Sequence, residues 1–425
     1  MDIIIVIVIL LLYLFCYYIA SYGRFVSILC SSLIFSVVFL YYIFGGYLIP
    51  HYSIYDINII LILVGFIFFF TKFSLFSYLM KYGFYGVVLH ATTMCLIHLL
   101  DIVPPLTPLI MLYSYIPEYL PKSAYPSFNM FVLYLVPAII FYGVKISYCG
   151  LPVFFIISII FLSFYFNNST SMNEGTRVKV AVIQVGLYVE KNGGIISFFD
   201  DLLSFLKDNP DVDIVVFSEN NIFTYKDIYN ISLSEKLIDI IRVNSLTDKH
   251  HLLLSFNGFN AINNVVTVYM HQHVKVINQK ESLIPFIEKK GFFNKKEDIL
   301  SEYFWVDTGL SNQILRIKKY PVRTSICYDS LFPDFISERA ALTIVQSNYQ
   351  LLDKGNGFER LQKLGGILSK FSIGANSNIL INIQSSGGTI FIDRNWKVDE
   401  DVYFKSKKEP FVIIDIFLSH VSSSV

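Results

Sequence analysis

The pattern of hydrophobic and polar positions divides the chain into two unlike parts. Up to residue 166, long apolar runs carry few charges, whereas nearly all Asp, Glu, Lys and Arg residues follow Asn173. Several runs have roughly the 17–25 residues that span a bilayer. They lie at 3–22, 25–49, 54–71, 82–100, 128–143 and 150–166. The pattern therefore predicts a membrane all-α bundle of about six transmembrane helices.

After a polar linker at 167–176, short apolar segments typical of strands alternate with segments of helical periodicity. Strands are predicted at 178–185, 213–217, 252–256, 265–270, 273–277, 321–326, 342–346, 378–383, 389–392 and 411–417. Helices are predicted at 195–206, 234–244 and 357–371. This alternation is typical of a layered α/β domain. We therefore predict a transmembrane domain at 1–166, the linker at 167–176 and an α/β domain at 177–425.

The net charge of zero gives no sign of a nucleic-acid partner.

Charge placement predicts an orientation for the bundle. One set of connections carries Arg24, Lys72, Lys81 and Lys145, and the other side carries Asp2, Asp56, Asp101 and Glu118. The positive-inside rule places the basic side in the cytoplasm. We expect a multi-pass protein of a bacterial inner membrane, with its α/β domain facing the periplasm.

Cys327 is the one cysteine in 177–425, and it directly follows the strand predicted at 321–326. A turn running into a helix is predicted at 329–339. Cys327 is then expected at a strand-to-helix corner, where a cleft and backbone N–H donors meet. A free cysteine taken alone is more often a small buried hydrophobe. A catalytic role therefore requires a base and an anion-stabilising group elsewhere in the chain.

Glu219 and Lys280 could supply these groups. Glu219 follows the strand predicted at 213–217, and Lys280 lies in a polar loop. A carboxylate can accept the thiol proton, an ammonium group favours the thiolate and stabilises an oxyanion, and the sulfur can form a thioester. Taken alone, Glu219 is more simply explained as a solvated residue at a strand end than as a catalytic residue. Lys280 taken alone is more simply explained as a surface lysine. Their order and spacing together favour a Glu–Lys–Cys triad.

The motifs around this triad resemble a known superfamily. A Glu, then a Lys in KESLIPFIE, then a Cys in ICYDSLFPDF is similar to the nitrilase, or carbon–nitrogen hydrolase, superfamily. Together with the apolar first half, these forms resemble its membrane-bound branch, the apolipoprotein N-acyltransferases. The resemblance covers 177–418 by motif and the first half by architecture only. It implies a nitrilase-type αββα sandwich for the α/β domain.

The resemblance also implies a reaction and a role for each matching residue. Glu219 would be the base, Lys280 the oxyanion-stabilising lysine and Cys327 the nucleophile. Glu288 would be a second essential carboxylate. The substrate-binding residues would be Tyr328, Asp329 and Asn348. The enzyme would move a fatty acyl chain from a phospholipid, through a Cys327 thioester, to the α-amino group of the diacylglyceryl-cysteine of an apolipoprotein. The resemblance implies a monomer at the membrane and neither a metal nor an organic cofactor.

Several positions depart from the family pattern. Ser218 replaces a Pro, Ile287 replaces a Gly, and only Asn348 remains of an Asn-Asp-x-Trp-Phe stretch. The apolar run at 411–418 suits a strand instead of the family's closing transmembrane helix. These departures leave two alternatives open. One is a membrane-tethered nitrilase-type protein of the conjugal-transfer TraB kind with a different acceptor, and the other is a non-catalytic scaffold.

Overall fold

The computed structural model describes two stretches of the N-terminal half and most of the C-terminal half. The described residues are 25–48, 57–99, 175–220, 222–223, 231–257, 265–280, 282, 314–332, 339–349, 358–373 and 377–419, with shorter pieces within 8–19 and 108–135. Glu288, the span at 150–166 and most of the helix predicted at 329–339 lie outside them. The predicted domain boundaries stay predictions.

The N-terminal half forms helices α1 (Phe25–Leu48), α2 (Ile57–Met80), α3 (Phe84–Leu99) and the short α4 (Leu112–Tyr115). A 3₁₀ turn, Pro108–Met111, leads into α4. The rings of Phe35 and Phe73 join α1 to α2 with centroids 3.8 Å apart. The hydroxyls of Ser31 and Ser77 form a buried hydrogen bond of 2.8 Å between the same helices.

The predicted membrane bundle of about six transmembrane helices is wrong. Three of the predicted runs do form helices α1, α2 and α3. Within the described residues, however, no helix combines the length and the apolar character required to cross a membrane. A helix that is apolar all round can also be buried in a protein core, and periodicity does not separate the two cases. The predicted localisation rested on the count of spans and stays a prediction.

The N-terminal helices contribute to a core that they share with the α/β domain. Phe35, Phe73 and Tyr113 belong to the same buried cluster as Phe371 and Trp396. The Tyr113 and Trp396 rings lie 4.7 Å apart between centroids. These aromatic side chains of the N-terminal half therefore pack against the α/β domain.

The C-terminal half contains two β-sheets. Their strands are β1 (Thr176–Ile183), β2 (Ile214–Phe217), β3 (His251–Asn257), β4 (Val265–Met270), β5 (Val274–Gln279), β6 (Leu315–Ile317), β7 (Tyr320–Ile326), β8 (Ala340–Ser347), β9 (Ser377–Gln384), β10 (Ile390–Ile392) and β11 (Phe411–Leu418). The strand orders are β11-β1-β2-β3-β4-β5 and β10-β9-β8-β7-β6. In each sheet the three central strands, β1-β2-β3 and β7-β8-β9, run parallel.

Helices cover the outer faces of the two sheets. They are α5 (Val185–Asn192), α6 (Phe198–Asp208), α7 (Ile231–Val243), α8 (Leu246–Lys249), α9 (Phe358–Ser372) and α10 (Glu400–Ser406). Along β1, Val178, Val180 and Val182 point between the sheets, and Ala181 and Ile183 point to the helices α5 to α7. The result is four layers, helix, sheet, sheet and helix, which is the αββα order that the resemblance implied.

Hydrogen bonds between the two sheets connect the carboxyl ends of their strands. The side chain of Asn278 in β5 donates to the carbonyl of Thr324 in β7 at 3.0 Å. The amide of Gln346 in β8 donates to the carbonyl of Phe217 in β2 at 2.7 Å. These bonds tie together the carboxyl ends of four strands. In α/β folds such ends are the usual location of ligands.

Candidate active site

Glu219 and Lys280 form a buried ion pair. The Lys280 ammonium lies 3.0 Å from Oε1 of Glu219, and the residues are 1% and 4% exposed. Glu219 lies two residues beyond β2, and Lys280 follows β5 directly. The backbone N–H of Lys280 also donates to the carbonyl of Val265 at 2.9 Å, which extends the pairing of β4 and β5. Strand pairing therefore positions the backbone that carries the lysine.

The turn that carries Glu219 is fixed by its neighbours. The Asn220 side chain donates to the Ser218 carbonyl at 3.0 Å and accepts the N–H groups of Ile222 and Phe223. Such an Asx turn constrains the chain just beyond Glu219. Ser218 itself donates its N–H to the Ile183 carbonyl at 2.9 Å. A proline at 218, as in the family pattern, could not make this bond.

Cys327 occupies a strained turn directly after β7. It begins the one-turn 3₁₀ helix Cys327–Leu331, is 2% exposed, and has a φ of 43°. A left-handed conformation costs about 1–3 kcal/mol in a residue other than glycine and is concentrated at functional sites. The Ser330 hydroxyl lies 2.6 Å from the Cys327 carbonyl and 2.6 Å from the Ser369 hydroxyl. Helix α9 therefore anchors the turn.

The structure places Cys327 next to the ion pair. Val265, Ile326 and Cys327 form one small buried cluster. Val265 is also the residue whose carbonyl receives the Lys280 N–H. A thiol, a carboxylate and an ammonium group are thus brought together at the carboxyl ends of β2, β5 and β7. This is the composition of a nucleophilic active site.

The other predicted site residues occupy different positions. The Asp329 carboxylate accepts the backbone N–H of Ser282, two residues beyond Lys280, and so ties the Cys327 turn to the lysine loop. The Tyr328 ring packs edge-on against Phe332, with centroids 5.1 Å apart. Asn348 follows β8 directly. Glu288 lies outside the described residues, so its predicted role stays a prediction.

Tyr349 belongs to this site, although the sequence analysis did not identify it. It packs against the cluster of Val265, Ile326 and Cys327. Burial raises the pKa of its hydroxyl, the negative charges of Cys327 and Glu219 add to that rise, and Lys280 opposes it. Nothing in the sequence separates this residue from the other members of a set of 29 tyrosines.

Solved structures of carbon–nitrogen hydrolases resemble this chain. Saccharomyces cerevisiae Nit3, a member of branch 10 of the nitrilase superfamily, is 15% identical, with a TM-score of 0.36 over 59% of this chain and 93% of its own. A carbon–nitrogen hydrolase from Helicobacter pylori G27 is 15% identical, with a TM-score of 0.39 over 57% and 90%.

A glutamine-dependent NAD+ synthetase from Acinetobacter baumannii is also similar, at 12% identity. Its TM-score is 0.35, and the match covers 59% of this chain and 49% of the synthetase. No family model and no curated protein match the chain. Identities and TM-scores this low say nothing about activity.

The chemistry available at the site is nucleophilic and acid–base. The Glu219 carboxylate can accept a proton, and the buried positive charge of Lys280 can stabilise an oxyanion. Within the described ranges, no three His, Cys, Asp or Glu side chains are grouped so that they could hold a metal ion.

Proposed function

We propose that this protein is a cysteine-dependent acyltransferase of the carbon–nitrogen hydrolase kind. One observation carries the proposal: the buried Glu219–Lys280 pair lies beside a cysteine held in a strained turn. Burying two charges costs free energy of desolvation. The left-handed backbone conformation of the neighbouring Cys327 adds strain. Catalysis explains why all three features occur in one place.

In the first half-reaction, Glu219 accepts the thiol proton of Cys327, and the sulfur attacks the carbonyl carbon of an ester. Lys280 stabilises the negative oxygen of the tetrahedral intermediate. The ester C–O bond then breaks, and Glu219 returns the proton to the departing alcohol oxygen. The acyl group stays on Cys327 as a thioester.

In the second half-reaction, an amine attacks the thioester carbonyl and Glu219 accepts its proton. Lys280 again stabilises the oxyanion, the C–S bond breaks, and the proton passes to the Cys327 sulfur. The product is an amide, and the enzyme returns to its starting state. No oxidant, reductant or metal is required by this sequence of steps.

We propose a phospholipid as the acyl donor and the α-amino group of a lipoprotein diacylglyceryl-cysteine as the acceptor. The support is the form of the motifs KESLIPFIE and ICYDSLFPDF, which carry Lys280 and Cys327. The same acyl-enzyme could serve a different amine, and the experiment below separates the two cases.

The test follows the acyl group by intact-mass spectrometry. The full chain is purified in detergent and incubated with a phospholipid of a single acyl composition. We expect a mass increase of one acyl group, placed on Cys327 by peptide mapping and absent from Cys327→Ala. A diacylglyceryl-cysteine peptide added next should remove the group and gain it as an amide.

Two results would contradict parts of the proposal. An adduct that passes only to water or to other amines would contradict the lipoprotein acceptor and favour a different one. A Cys327 that acquires no acyl group, and reacts with a thiol reagent no faster than in denatured protein, would contradict acyl transfer altogether.

A further inference from the structure

Tyr349 lies beside the nucleophile because of strand register. Strands β7 and β8 are parallel, and Ile326 pairs with Gln346. Cys327 is the first residue after β7, and Tyr349 is the second residue after the neighbouring strand β8. Adjacent strands lie about 4.8 Å apart. The two side chains therefore leave the same edge of the sheet next to each other, and the Tyr349 ring packs against the cluster that contains Cys327.

Helix α9 leaves room for the phenol at a single glycine. A Cβ atom on Gly365 would lie 2.5 Å from the Tyr349 hydroxyl oxygen and 3.1 Å from two ring carbons. A glycine inside a helix costs about 1 kcal/mol relative to alanine. Close approach of the tyrosine accounts for a glycine at this position.

The same part of α9 also holds the nucleophile turn. The Ser369 hydroxyl donates to the Gly365 carbonyl at 2.9 Å and contacts the Ser330 hydroxyl at 2.6 Å. Ser330 in turn bonds to the Cys327 carbonyl. One helical turn therefore positions both Cys327 and Tyr349, which gives the pair a defined relative geometry.

The surroundings keep the phenol protonated. Tyr349 is partly exposed, its hydroxyl lies against Gly365 of α9, and burial raises the pKa of the hydroxyl. The charged groups that act on it are Cys327 and Glu219, which raise the pKa further, and Lys280, which lowers it. The Asn382 side chain of β9 also lowers it. The pKa is still raised above its usual value of 10, so the hydroxyl is a neutral hydrogen-bond donor at neutral pH.

We propose that Tyr349 is a further active-site residue, whose neutral hydroxyl donates a hydrogen bond to the negative charge that forms at Cys327. The inference rests on the acyl transfer proposed above and deepens it. Lys280 supplies a positive charge to the reaction, and Tyr349 supplies an uncharged donor from the opposite sheet. An uncharged donor stabilises the transition state without adding a second cation, which would compete with Lys280 for Glu219.

The first variant removes only the hydroxyl group. In Tyr349→Phe, we expect thioester formation with phospholipid to slow about 10- to 100-fold, the range for a lost hydrogen bond to a charged group. The pH midpoint for alkylation of Cys327 by iodoacetamide should rise by about one unit. Tyr320→Phe is the matched control. It removes a buried hydroxyl at the other end of β7, bonded to Thr176 at 2.9 Å, and should change neither quantity.

The second variant moves the ring instead of altering it. Gly365→Ala should displace Tyr349 and raise the alkylation midpoint in the same direction, although alanine is the better helix former. In the Tyr349→Phe background, Gly365→Ala should slow the reaction little further, because both changes remove the same interaction. Additive losses would contradict the inference.

A third variant keeps the test possible if Tyr349→Phe folds poorly. Replacing residue 349 with 3-fluorotyrosine keeps the shape of the side chain and makes its hydroxyl a stronger donor. The alkylation midpoint should then fall below that of the unmodified protein. A midpoint unchanged in both the phenylalanine and the fluorotyrosine proteins would overturn the inference.

The two proposals fail in different ways. An unmodified protein that forms a Cys327 thioester, at a rate that Tyr349→Phe does not change, overturns the tyrosine's role and leaves acyl transfer intact. A protein that forms no thioester overturns acyl transfer, while a midpoint that still rises in Tyr349→Phe supports the hydrogen bond to the thiolate.

Discussion

The Glu219–Lys280 pair places two opposite charges where water does not reach, with the lysine 1% exposed. Removing such groups from water costs several kcal/mol per ion, and their attraction offsets that cost only while both are present. The pair therefore contributes little net stability, but either charge left without the other is strongly unfavourable. Stability measurements can detect this asymmetry.

Lys280→Met removes the ammonium group and leaves the Glu219 carboxylate buried. We expect the free energy of unfolding to fall by about 3–5 kcal/mol, measured by urea denaturation at neutral pH. Lys363→Met is the matched control, since Lys363 pairs with the half-exposed Glu400 at 2.7 Å. It should lose less than about 1 kcal/mol. Equal losses in the two variants would contradict a desolvated pair.

Asp329 has a positioning role in the structure, because its carboxylate binds the backbone N–H of Ser282. Asp329→Asn keeps an acceptor oxygen at the same place, and Asp329→Ala removes it. We therefore expect thioester formation to be nearly retained in the asparagine variant and to fall about tenfold in the alanine variant, the value of one hydrogen bond. If the carboxylate instead acts on the substrate through its charge, the asparagine variant will be as slow as the alanine variant.

At the scale of elements, burial on both faces explains which strands were predictable. The central strands read as short apolar segments, and β4 was predicted with the bounds that the structure has. The three-residue β6 is too short to form a pattern, and it was not predicted. Val185 was assigned to a strand but begins α5, because the neighbouring β2 ends at Phe217, opposite Ile183. Where pairing ends depends on the partner strand, which the local sequence does not contain.

Helix α9 carries a buried lysine that makes stability depend on pH. Lys370 donates to the carbonyls of Ser377 and Asn378, and burial lowers its pKa from 10.5 to about 7. Between these values the unfolded chain binds more protons than the folded chain, so the free energy of unfolding rises with pH across this window. Below about pH 7 the full penalty of burying the charge applies.

Lys370→Met removes the titrating group from the joint between α9 and β9. We expect the increase in unfolding free energy between pH 7 and 10.5 to be smaller in the variant than in the unmodified protein. The measurement is urea denaturation at half-unit pH steps. An identical pH dependence in the two proteins would show that Lys370 is already charged in the fold.

The whole molecule is joined by a core that includes both halves of the chain. Trp396 contacts both Tyr113 of the N-terminal half and Phe371 of α9, with ring centroids at 4.7 Å and 6.1 Å, and the rings of Tyr113 and Phe371 lie 5.4 Å apart. The sequence predicted a separation at 167–176, because charge and hydropathy change there. Local composition does not reveal that apolar residues before this point pack against residues more than 200 positions later.

A shared core predicts a single unfolding transition. In a Trp305→Phe variant, which leaves Trp396 as the remaining tryptophan, fluorescence reports on the joint. Far-ultraviolet circular dichroism reports on all helices and strands. We expect the two signals to change at the same urea concentration. Phe371→Ala should lower both midpoints together, because it removes about 3–5 kcal/mol of packing. A fluorescence change at a lower urea concentration than the dichroism change would indicate that the halves separate first.

The candidate site was accessible to sequence reasoning only in part. Glu219 and Cys327 follow predicted strands, and Lys280 and Cys327 fall within recognisable motifs, so the order of the three residues suggested a common site. Tyr349 reaches the site through the register of β7 and β8 and through the gap at Gly365. Both conditions are three-dimensional, and the residue carries no motif of its own.

The backbone of Cys327 has a consequence for a mutational scan of this protein. Its φ of 43° suits glycine, and to a lesser degree asparagine and aspartate, better than any other residue. In a library of all substitutions at position 327, selection for protease resistance should enrich glycine above alanine and deplete valine and isoleucine. Selection for acyl transfer should retain cysteine alone. If the two selections rank the substitutions at position 327 in opposite orders, the scan would identify Cys327 as the nucleophile before the natural substrate of the protein is known.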